Sequence, residues 1–211
     1  MNITVSLILL AGISFGYICG SVSTAIIVCK LMRLPDPRSQ GSGNPGATNV
    51  LRIGGKKAAM ITLLGDAIKG FVPVIVASVF LLSLDHTPET DISWLPAIAG
   101  LGAFIGHLYP VFFNFKGGKG VATALGVLAG ISWPVFLSVC IVWLAMAFAF
   151  RYSALAALTG FALAPAFSLF FLSTWFPACT ITMMSILIFI RHTENIKRLI
   201  NGTEGKIGNK K

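Results

Sequence analysis

The chain alternates between long apolar runs and short polar segments. Seven runs are candidates for membrane spans, which need roughly 20 apolar residues, or fewer for a helix buried in protein. They cover residues 4–29, 57–84, 94–115, 120–132, 133–150, 154–173 and 175–190. The pattern predicts an all-α integral membrane protein, a compact bundle of about seven transmembrane helices. The run 120–132 is short, and a re-entrant course there would change the number of spans and the sides of later loops.

The distribution of Lys and Arg predicts which side each connector occupies. Basic residues occur in 30–56, 116–119, 151 and 191–211, whereas 85–93, 131–134 and 174–177 contain none. The positive-inside rule then places the N-terminus outside and the C-terminus in the cytoplasm. The first run is too long for a signal-peptide core and has no Lys or Arg before it, so we expect a span there. We expect one polytopic membrane domain over residues 1–211.

Composition agrees with a membrane protein and limits the classes of partner that are expected. The chain is 55% hydrophobic and 11% charged, and its mean hydropathy is +0.85. Its formal charge of +9 comes from basic residues at the ends of apolar runs, which indicates positive-inside topology and anionic small substrates rather than nucleic acid. The four cysteines show neither the CxxC spacing of a zinc site nor a loop pairing. We expect no metal and no cofactor.

A glycine-lysine turn separates two apolar runs at GHLYPVFFNFKGGKGVAT, residues 106–123. Glycines let successive backbone N–H groups point at one spot, and a helix start adds partial positive charge, so Gly117, Gly118 and Gly120 are candidates for binding a phosphate. Lys119 adds a full charge. The spacing is not that of a Walker A loop, because Gly120 follows the lysine. A plain helix hairpin with positive-inside lysines is the alternative.

The first basic connector contains RSQGSGNPGATNVLR, residues 38–52. Ser42, Asn44, Thr48 and Asn49 offer hydrogen-bonding groups, and Arg52 offers a planar guanidinium that can grip a phosphate through two parallel bonds. A flexible polar loop without a ligand is the alternative, since Gly, Ser and Asn dominate many loops.

Ionisable and polar residues inside or beside the spans form a second group of candidates. Asp66 and Lys69 are spaced i, i+3 within a span, which predicts a structural ion pair or a direct substrate contact. His107 lies near the end of the third run, where we expect it to support the site. Ser153 begins a helix after a basic residue, so it is either an N-cap or a phosphate donor.

The C-terminal segment RHTENIKRL follows the last apolar run directly. If the helix continues, His192 and Asn195 share a face and Glu194 points away. A histidine with a polar companion can orient or deprotonate a hydroxyl. A snorkelling basic membrane exit would explain Arg191, Lys197 and Arg198 but not the histidine and asparagine.

One motif is treated as coincidental. His86 and Asp91 have the H-x-x-x-x-D spacing of the large glycerolipid acyltransferase superfamily. They lie in an acidic loop on the predicted outer side, away from the phosphate-binding candidates.

Three of these stretches together resemble signatures of the acyl-phosphate-dependent glycerol-3-phosphate acyltransferase family of bacteria, the PlsY family. They are SGNPGATNVLR, GHLYPVFFNFKGGKGVAT and RHTENIKRL, in the family's order, and LLGDAIKG and NGTEGKIG also match. The resemblance spans almost the whole chain. It implies a compact seven-helix membrane protein with its active site at the cytoplasmic face of the bacterial plasma membrane.

The resemblance also implies roles at matching positions. It makes Ser42, Arg52, Lys119, His192 and Asn195 active-site residues. It assigns glycerol 3-phosphate binding to the three turn glycines, a structural role to Glu194 and a further polar contact to Ser153. These roles require that separate connectors meet in one cationic pocket.

The implied reaction transfers a fatty acyl group from acyl phosphate to the sn-1 hydroxyl of glycerol 3-phosphate, the first step of phospholipid synthesis. Functional coupling to the soluble enzyme that makes acyl phosphate is a further expectation. The residues leave the proton acceptor open between His192 and the donor's own phosphate. A transporter for organic phosphates is the alternative class, although no inverted repeat is apparent.

Overall fold

The computed structural model describes residues 3–83 and 92–208, and this part of the chain is all helical, without strands. A single 3-10 turn, Val111–Phe113, follows the fourth of nine α-helices within these residues. The helices are α1 Ile3–Gly20, α2 Thr24–Leu31, α3 Ala47–Leu82, α4 Leu95–Leu108, α5 Val121–Ile131, α6 Trp133–Phe150, α7 Ser153–Phe171, α8 Trp175–Arg191 and α9 Thr193–Ile200.

Five segments are long and apolar enough to cross a membrane: α1 with α2, α3, α4 with its 3-10 turn, α6 and α7. Helices α8 and α9 pass the same test only as a pair, bent by 58° at their junction, which gives up to six spans among the described residues. Helix α5 has 11 residues and is too short to cross. The all-α membrane fold expected from the sequence is confirmed, and the short run at 120–132 remains a partial span.

Glycines allow α1 and α4 to pack in close contact. A Cβ added to Gly16 or Gly20 would collide with the backbone of Ala99 or Ala103 on the facing helix. The spacing of Gly12, Gly16 and Gly20 puts small residues on one face of α1, and this face packs against α4 because backbones approach closely only where side chains are absent.

The main apolar core lies between α3, α4, α5, α6, α7 and α8. Its largest fully buried side chains include Phe104, Leu128, Phe161 and Met184. Many other large apolar side chains are exposed on the outside of the bundle, including Phe148, which is 92% exposed. An apolar exterior around an apolar core is expected of a protein whose solvent is lipid.

The boundaries of two elements differ from the sequence-based expectation. The first span breaks at residues 21–23, so α2 is a separate short helix. The expected polar loop at 30–56 is wrong in its second half, because α3 begins at Ala47 and contains one non-helical residue, Gly55, with φ 76°. Only glycine adopts that backbone conformation at little cost. Gly55 therefore marks a break within α3 that the pattern of apolar and polar residues does not predict.

Candidate active site

The connectors at one end of the bundle contact one another. The contacts are those of Thr48 Oγ1 with Ser153 Oγ at 3.1 Å, of the Arg191 guanidinium with the carbonyls of Gly117 and Gly118 at 3.1–3.3 Å, and of Arg151 Nη2 with the Ile207 carbonyl at 3.1 Å. These bonds join the start of α3, the glycine turn, the α6–α7 connector and the C-terminal segment. Separate connectors therefore contact one another, whereas the expected single cationic pocket that also contains Ser42 stays a prediction.

The first connector is held in shape by Asn49, a residue that the sequence marked for substrate binding. Its side chain is buried, and its amide donates to the carbonyls of Pro37 at 2.8 Å and Gln40 at 3.0 Å. Its Oδ1 accepts from the Ser42 backbone N–H at 2.9 Å. Asn49 therefore fastens the loop to α3. The neighbouring Asn44 is half-buried.

Ser42 differs from the other predicted active-site residues in its position. It is exposed, and within the described residues no hydrogen bond joins its hydroxyl to Lys119 or His192. Arg52, by contrast, is one turn into α3 rather than in a loop, with its guanidinium beside Gly205, where a Cβ would lie 3.1 Å from Nη2. The helix, not loop flexibility, sets the direction of this arginine.

The glycine turn folds back against the end of α4. The Gly118 N–H donates to the His107 carbonyl at 3.2 Å, so this donor is used within the protein and not aimed at an anion. A Cβ on Gly118 would lie 3.1 Å from the Pro45 carbonyl and nearer still to the imidazole of His107, so no larger residue fits. Gly120, with φ 84°, caps α5. The turn thus packs against the end of α4 and starts a short helix.

Lys119 projects from this turn into a cluster of cations. Its Nζ donates to Asn195 Oδ1. Burial is the largest of the effects that lower the pKa of Lys119 to about 8, and the nearby charges of Arg198, Arg191 and Arg52 act in the same direction. Arg52, Lys119, Arg191 and Arg198 are called the site cluster below. One carboxylate, that of Glu204, lies against it and favours the charged lysine.

His192 caps the junction of α8 and α9 and is 4% exposed. Its Nδ1 lies 2.8 Å from the Ile188 carbonyl. A carbonyl only accepts, so Nδ1 carries the proton and Nε2 of the neutral ring is left as the basic nitrogen. Burial is the main cause that lowers the pKa of His192 to about 4, with Lys119 and Arg191 contributing. The ring is therefore neutral at physiological pH.

Three charged or polar side chains lie beneath the glycine turn and are called the interior cluster. Lys69 Nζ is 2.9 Å from Asp66 Oδ1 and donates to the Val22 carbonyl at 2.7 Å. His107 Nδ1 is 3.7 Å from the same carboxylate oxygen. The ion pair expected from the i, i+3 spacing is present. Through the backbone carbonyl of His107, this cluster also supports Gly118.

Glu194 points away from the site, as its helical position predicts. It is exposed and its Oε1 accepts from Lys197 Nζ at 3.0 Å, which lowers the pKa of the carboxyl. Ser153 begins α7 and shares its hydroxyl with Thr48 across the site, without making a side-chain cap of its own helix. His86 and Asp91 lie outside the described residues.

Sequence reasoning missed three functional candidates. Arg191 and Arg198 had been explained as a basic membrane exit, but both reach into the site, and Glu204 had no assigned role. Asn195 and Arg198 share a face of α9 through their i, i+3 spacing, which is the signal that was available for Arg198.

An apolar groove opens on the flank of the bundle between α1 and α4. It encloses about 410 Å³ and is lined by Ile13, Ser14, Tyr17, Ile18, Gly102 and Ile105. At its edge the Tyr17 hydroxyl donates to the Tyr109 carbonyl at 2.8 Å. The Tyr109 ring lies under Arg191, whose Cζ is 5.5 Å from the ring centre. The groove therefore leads to the edge of the site cluster.

Comparison with known proteins decides the family. Residues 10–202 match the family described as glycerol-3-phosphate acyltransferase. The chain belongs to this family. A glycerol-3-phosphate acyltransferase of Methylococcus capsulatus is 50% identical over 199 residues, 94% of this chain and 96% of the relative. One from Thioalkalivibrio sulfidiphilus is 53% identical over 195 residues, 92% of this chain and 91% of the relative.

Solved structures agree with the family assignment. The crystal structure of PlsY (YgiH), described as an integral membrane glycerol 3-phosphate acyltransferase, superposes in its glycerol 3-phosphate form with a TM-score of 0.86. It is 38% identical, and the match covers 95% of this chain and 96% of that one. The lysophosphatidic acid form gives a TM-score of 0.84 at 38% identity, covering 95% of each chain. Membership of the PlsY family, expected from the motifs, is confirmed, and with it a multi-pass membrane protein.

Proposed function

We propose that the chain transfers a fatty acyl group from acyl phosphate to the sn-1 hydroxyl of glycerol 3-phosphate. The products are 1-acyl-glycerol 3-phosphate and inorganic phosphate. The observation that carries the proposal is the site cluster, four cations with the buried carboxylate of Glu204 against them, beside a buried neutral histidine. Such a surplus of positive charge suits a pair of phosphorylated reactants.

The cations hold and neutralise phosphate groups. Lys119 and Arg52 contact the phosphates directly, and Arg191 supports the glycine turn through its two carbonyls. An acyl phosphate is a mixed anhydride with a good leaving group, so no covalent enzyme nucleophile is required. Orientation of the two reactants and stabilisation of developing charge supply the rate.

The bond changes balance without a cofactor. The sn-1 oxygen of glycerol 3-phosphate attacks the acyl carbon, and the bond from that carbon to the phosphate oxygen breaks. The leaving phosphate keeps the electron pair, next to Lys119 and Arg52. Nε2 of His192, neutral and unprotonated, accepts the hydroxyl proton. The donor's phosphate is the alternative acceptor.

The groove between α1 and α4 is the place we assign to the acyl chain. It is lined by apolar side chains and opens sideways toward lipid, so a long chain can enter from the bilayer. The charged end of the donor then lies toward Tyr109 and Arg191. We place the site at the cytoplasmic face of the bacterial inner membrane, where a soluble enzyme that makes acyl phosphate is the coupling partner to expect.

An assay in detergent tests the proposal. Purified protein receives radiolabelled glycerol 3-phosphate with palmitoyl phosphate or, in parallel, with palmitoyl-coenzyme A. Labelled lysophosphatidate with the phosphate donor alone is the expected result. Product formed only with palmitoyl-coenzyme A would contradict the proposal that acyl phosphate is the donor. Uptake of label into sealed vesicles without lipid product would instead indicate a transporter.

A further inference from the structure

The chain after α9 folds back across the site as a strap, residues 203–208. At its start the backbone N–H groups of Thr203 and Glu204 both donate to the Arg198 carbonyl, at 2.8 Å and 3.2 Å. Near its end, the Ile207 N–H donates to the Arg151 carbonyl at 2.6 Å, and Arg151 Nη2 donates to the Ile207 carbonyl at 3.1 Å. The strap therefore joins the end of α9 to the connector between α6 and α7.

The middle of the strap lies over the site cluster. Gly205 runs directly beside the Arg52 guanidinium, where a Cβ would lie 3.1 Å from Nη2. Lys206 Nζ lies 5.6 Å from the centre of the Tyr152 ring, at the start of α7. The strap thus contacts Arg52 on α3 and Tyr152, the residue before α7.

Glu204 carries a buried carboxylate into this arrangement. Its side chain is 8% exposed. Oε1 accepts from Asn195 Nδ2 at 2.8 Å, and Oε2 accepts from Arg198 Nε at 2.7 Å. A carboxylate is taken out of water at low cost only when both oxygens are bound in this way.

The two ends of the Asn195 amide are chemically distinct, and Glu204 decides which end faces Lys119. Nδ2 can only donate, and it donates to Glu204. Oδ1 can only accept, and it accepts from Lys119 Nζ. A half-turn of the amide would set an NH2 group against the ammonium and an oxygen against the carboxylate. The carboxylate therefore selects one orientation of Asn195.

We propose that Glu204 is a positioning residue of the acyltransferase site, acting through the Asn195 amide to hold the Lys119 ammonium where it contacts a substrate phosphate. The proposal rests on the proposed function for the identity of that substrate. Glu204 itself touches no reactant.

The charges around Lys119 supply an independent readout. Arg52 faces it from α3, Arg191 from the end of α8 and Arg198 from α9, and all three lower the pKa of Lys119. Glu204 on the strap acts in the opposite direction. Removal of that carboxylate therefore lowers the pKa of Lys119 further below about 8.

The first experiment compares Glu204→Gln with Thr203→Ala in purified protein. Glutamine keeps the length of the side chain and removes its charge, whereas Thr203 precedes it on the strap and is exposed. We expect kcat/KM for glycerol 3-phosphate to fall about 10-fold to 100-fold in Glu204→Gln, the range of a lost hydrogen bond to a charged group. Thr203→Ala should remain within about twofold of the parent.

The second experiment needs no turnover. Acetylation of Lys119 by acetic anhydride is followed by mass spectrometry as a function of pH, since only the neutral amine reacts. The labelling midpoint should move to lower pH in Glu204→Gln and stay in place in Thr203→Ala. If the parent transfers no acyl group at all, the proposed function fails, yet this measurement still decides the role of Glu204.

Glu204→Asp separates the effect of the carboxylate charge from the effect of its hydrogen bond to Asn195. It also tests the proposal if Glu204→Gln does not yield folded protein. Aspartate keeps the carboxylate but is one methylene shorter, so the bond to Asn195 is lost. The labelling midpoint should stay near that of the parent while kcat/KM falls. A parent-like kcat/KM in Glu204→Asp, or an unmoved midpoint with unchanged kcat/KM in Glu204→Gln, overturns the proposal.

Discussion

The two charged groups of this bundle differ in how their charge is balanced. In the interior cluster, Lys69 is matched by Asp66, and their side chains are 8% and 3% exposed. In the site cluster, four cations lie against the buried carboxylate of Glu204, and the exposed carboxylate of Glu194 acts on Arg198 from the surface. Holding like charges close together and partly out of water costs free energy, so a protein retains such a group where an anionic ligand balances it. The difference assigns support to the first cluster and anion binding to the second.

The largest expected effect comes from removing a cation of the site cluster. Lys119→Ala or Arg52→Ala should lower kcat/KM by about 10³-fold or more, because each removes a charge that stabilises phosphate in the transition state. Membrane insertion and the elution profile in detergent should not change. Lys116→Ala, an exposed lysine on the same turn, is the matched control and should stay within a few-fold of the parent. Equal losses in all three would remove the distinction between these positions.

The interior cluster should respond in stability instead of turnover. Asp66→Asn leaves the Lys69 ammonium buried without its counter-charge, and we expect a loss of about 3–5 kcal/mol. Thermal unfolding in detergent measures it, with kcat determined on the folded fraction. A large fall in kcat without loss of stability would instead make Asp66 or Lys69 a substrate contact.

His192→Ala should slow the chemical step more than it weakens binding. General-base catalysis contributes typically about 10²–10⁴-fold, so kcat should fall by about 10²-fold with KM for glycerol 3-phosphate within a few-fold. Unchanged turnover at saturating substrates would transfer the role of base to the phosphate of the donor.

The pH profile tests the charge state of the site cluster directly. With a pKa of about 8, Lys119 loses its proton as the pH rises through that value, so kcat/KM should fall roughly tenfold per unit above it. Lys119→Arg should move this alkaline limb upward, because guanidinium stays charged. Since the pKa of His192 is lowered to about 4, its ring stays neutral at higher pH and places no acid limb near neutrality. An alkaline limb that persists near pH 8 in Lys119→Arg contradicts the assignment.

The smallest expected effect is that of removing both interior charges together. Asp66→Leu with Lys69→Met leaves no unpaired charge, so stability should lie within about 1 kcal/mol of the parent, in contrast to Asp66→Asn alone. The comparison of single and double variants by thermal unfolding measures the coupling. A double variant as unstable as the single one would show that a contact other than the ion pair dominates.

Sequence patterns predicted what depends on neighbours along one helix. The Asp66–Lys69 pair follows from i, i+3 spacing, and the face of small residues on α1 follows from i, i+4 spacing. Composition gave the membrane class, because lipid permits few backbone arrangements.

The parts that could not be predicted depend on contacts between distant segments. Arg198 and Glu204 meet Lys119 only because the helix bends by 58° after α8 and the following chain turns back. Arg52 lies on the short helical stretch that precedes the non-helical residue Gly55. Neither feature has a periodic signal, and the assignment of Gly118 as an anion donor did not anticipate its bond to His107.

The 11 residues of α5 have a consequence for the surrounding lipid. At about 1.5 Å per residue the helix is about 17 Å long, against a hydrocarbon core of about 30 Å. One end joins the charged turn at Gly120, and the other leads into Trp133, an aromatic residue suited to the headgroup level. We therefore expect the bilayer to be locally thinner beside α5. A polar reactant would then reach the depth of the acyl chains over a shorter distance, and a newly made lipid would move only a short distance along the membrane normal to its final depth.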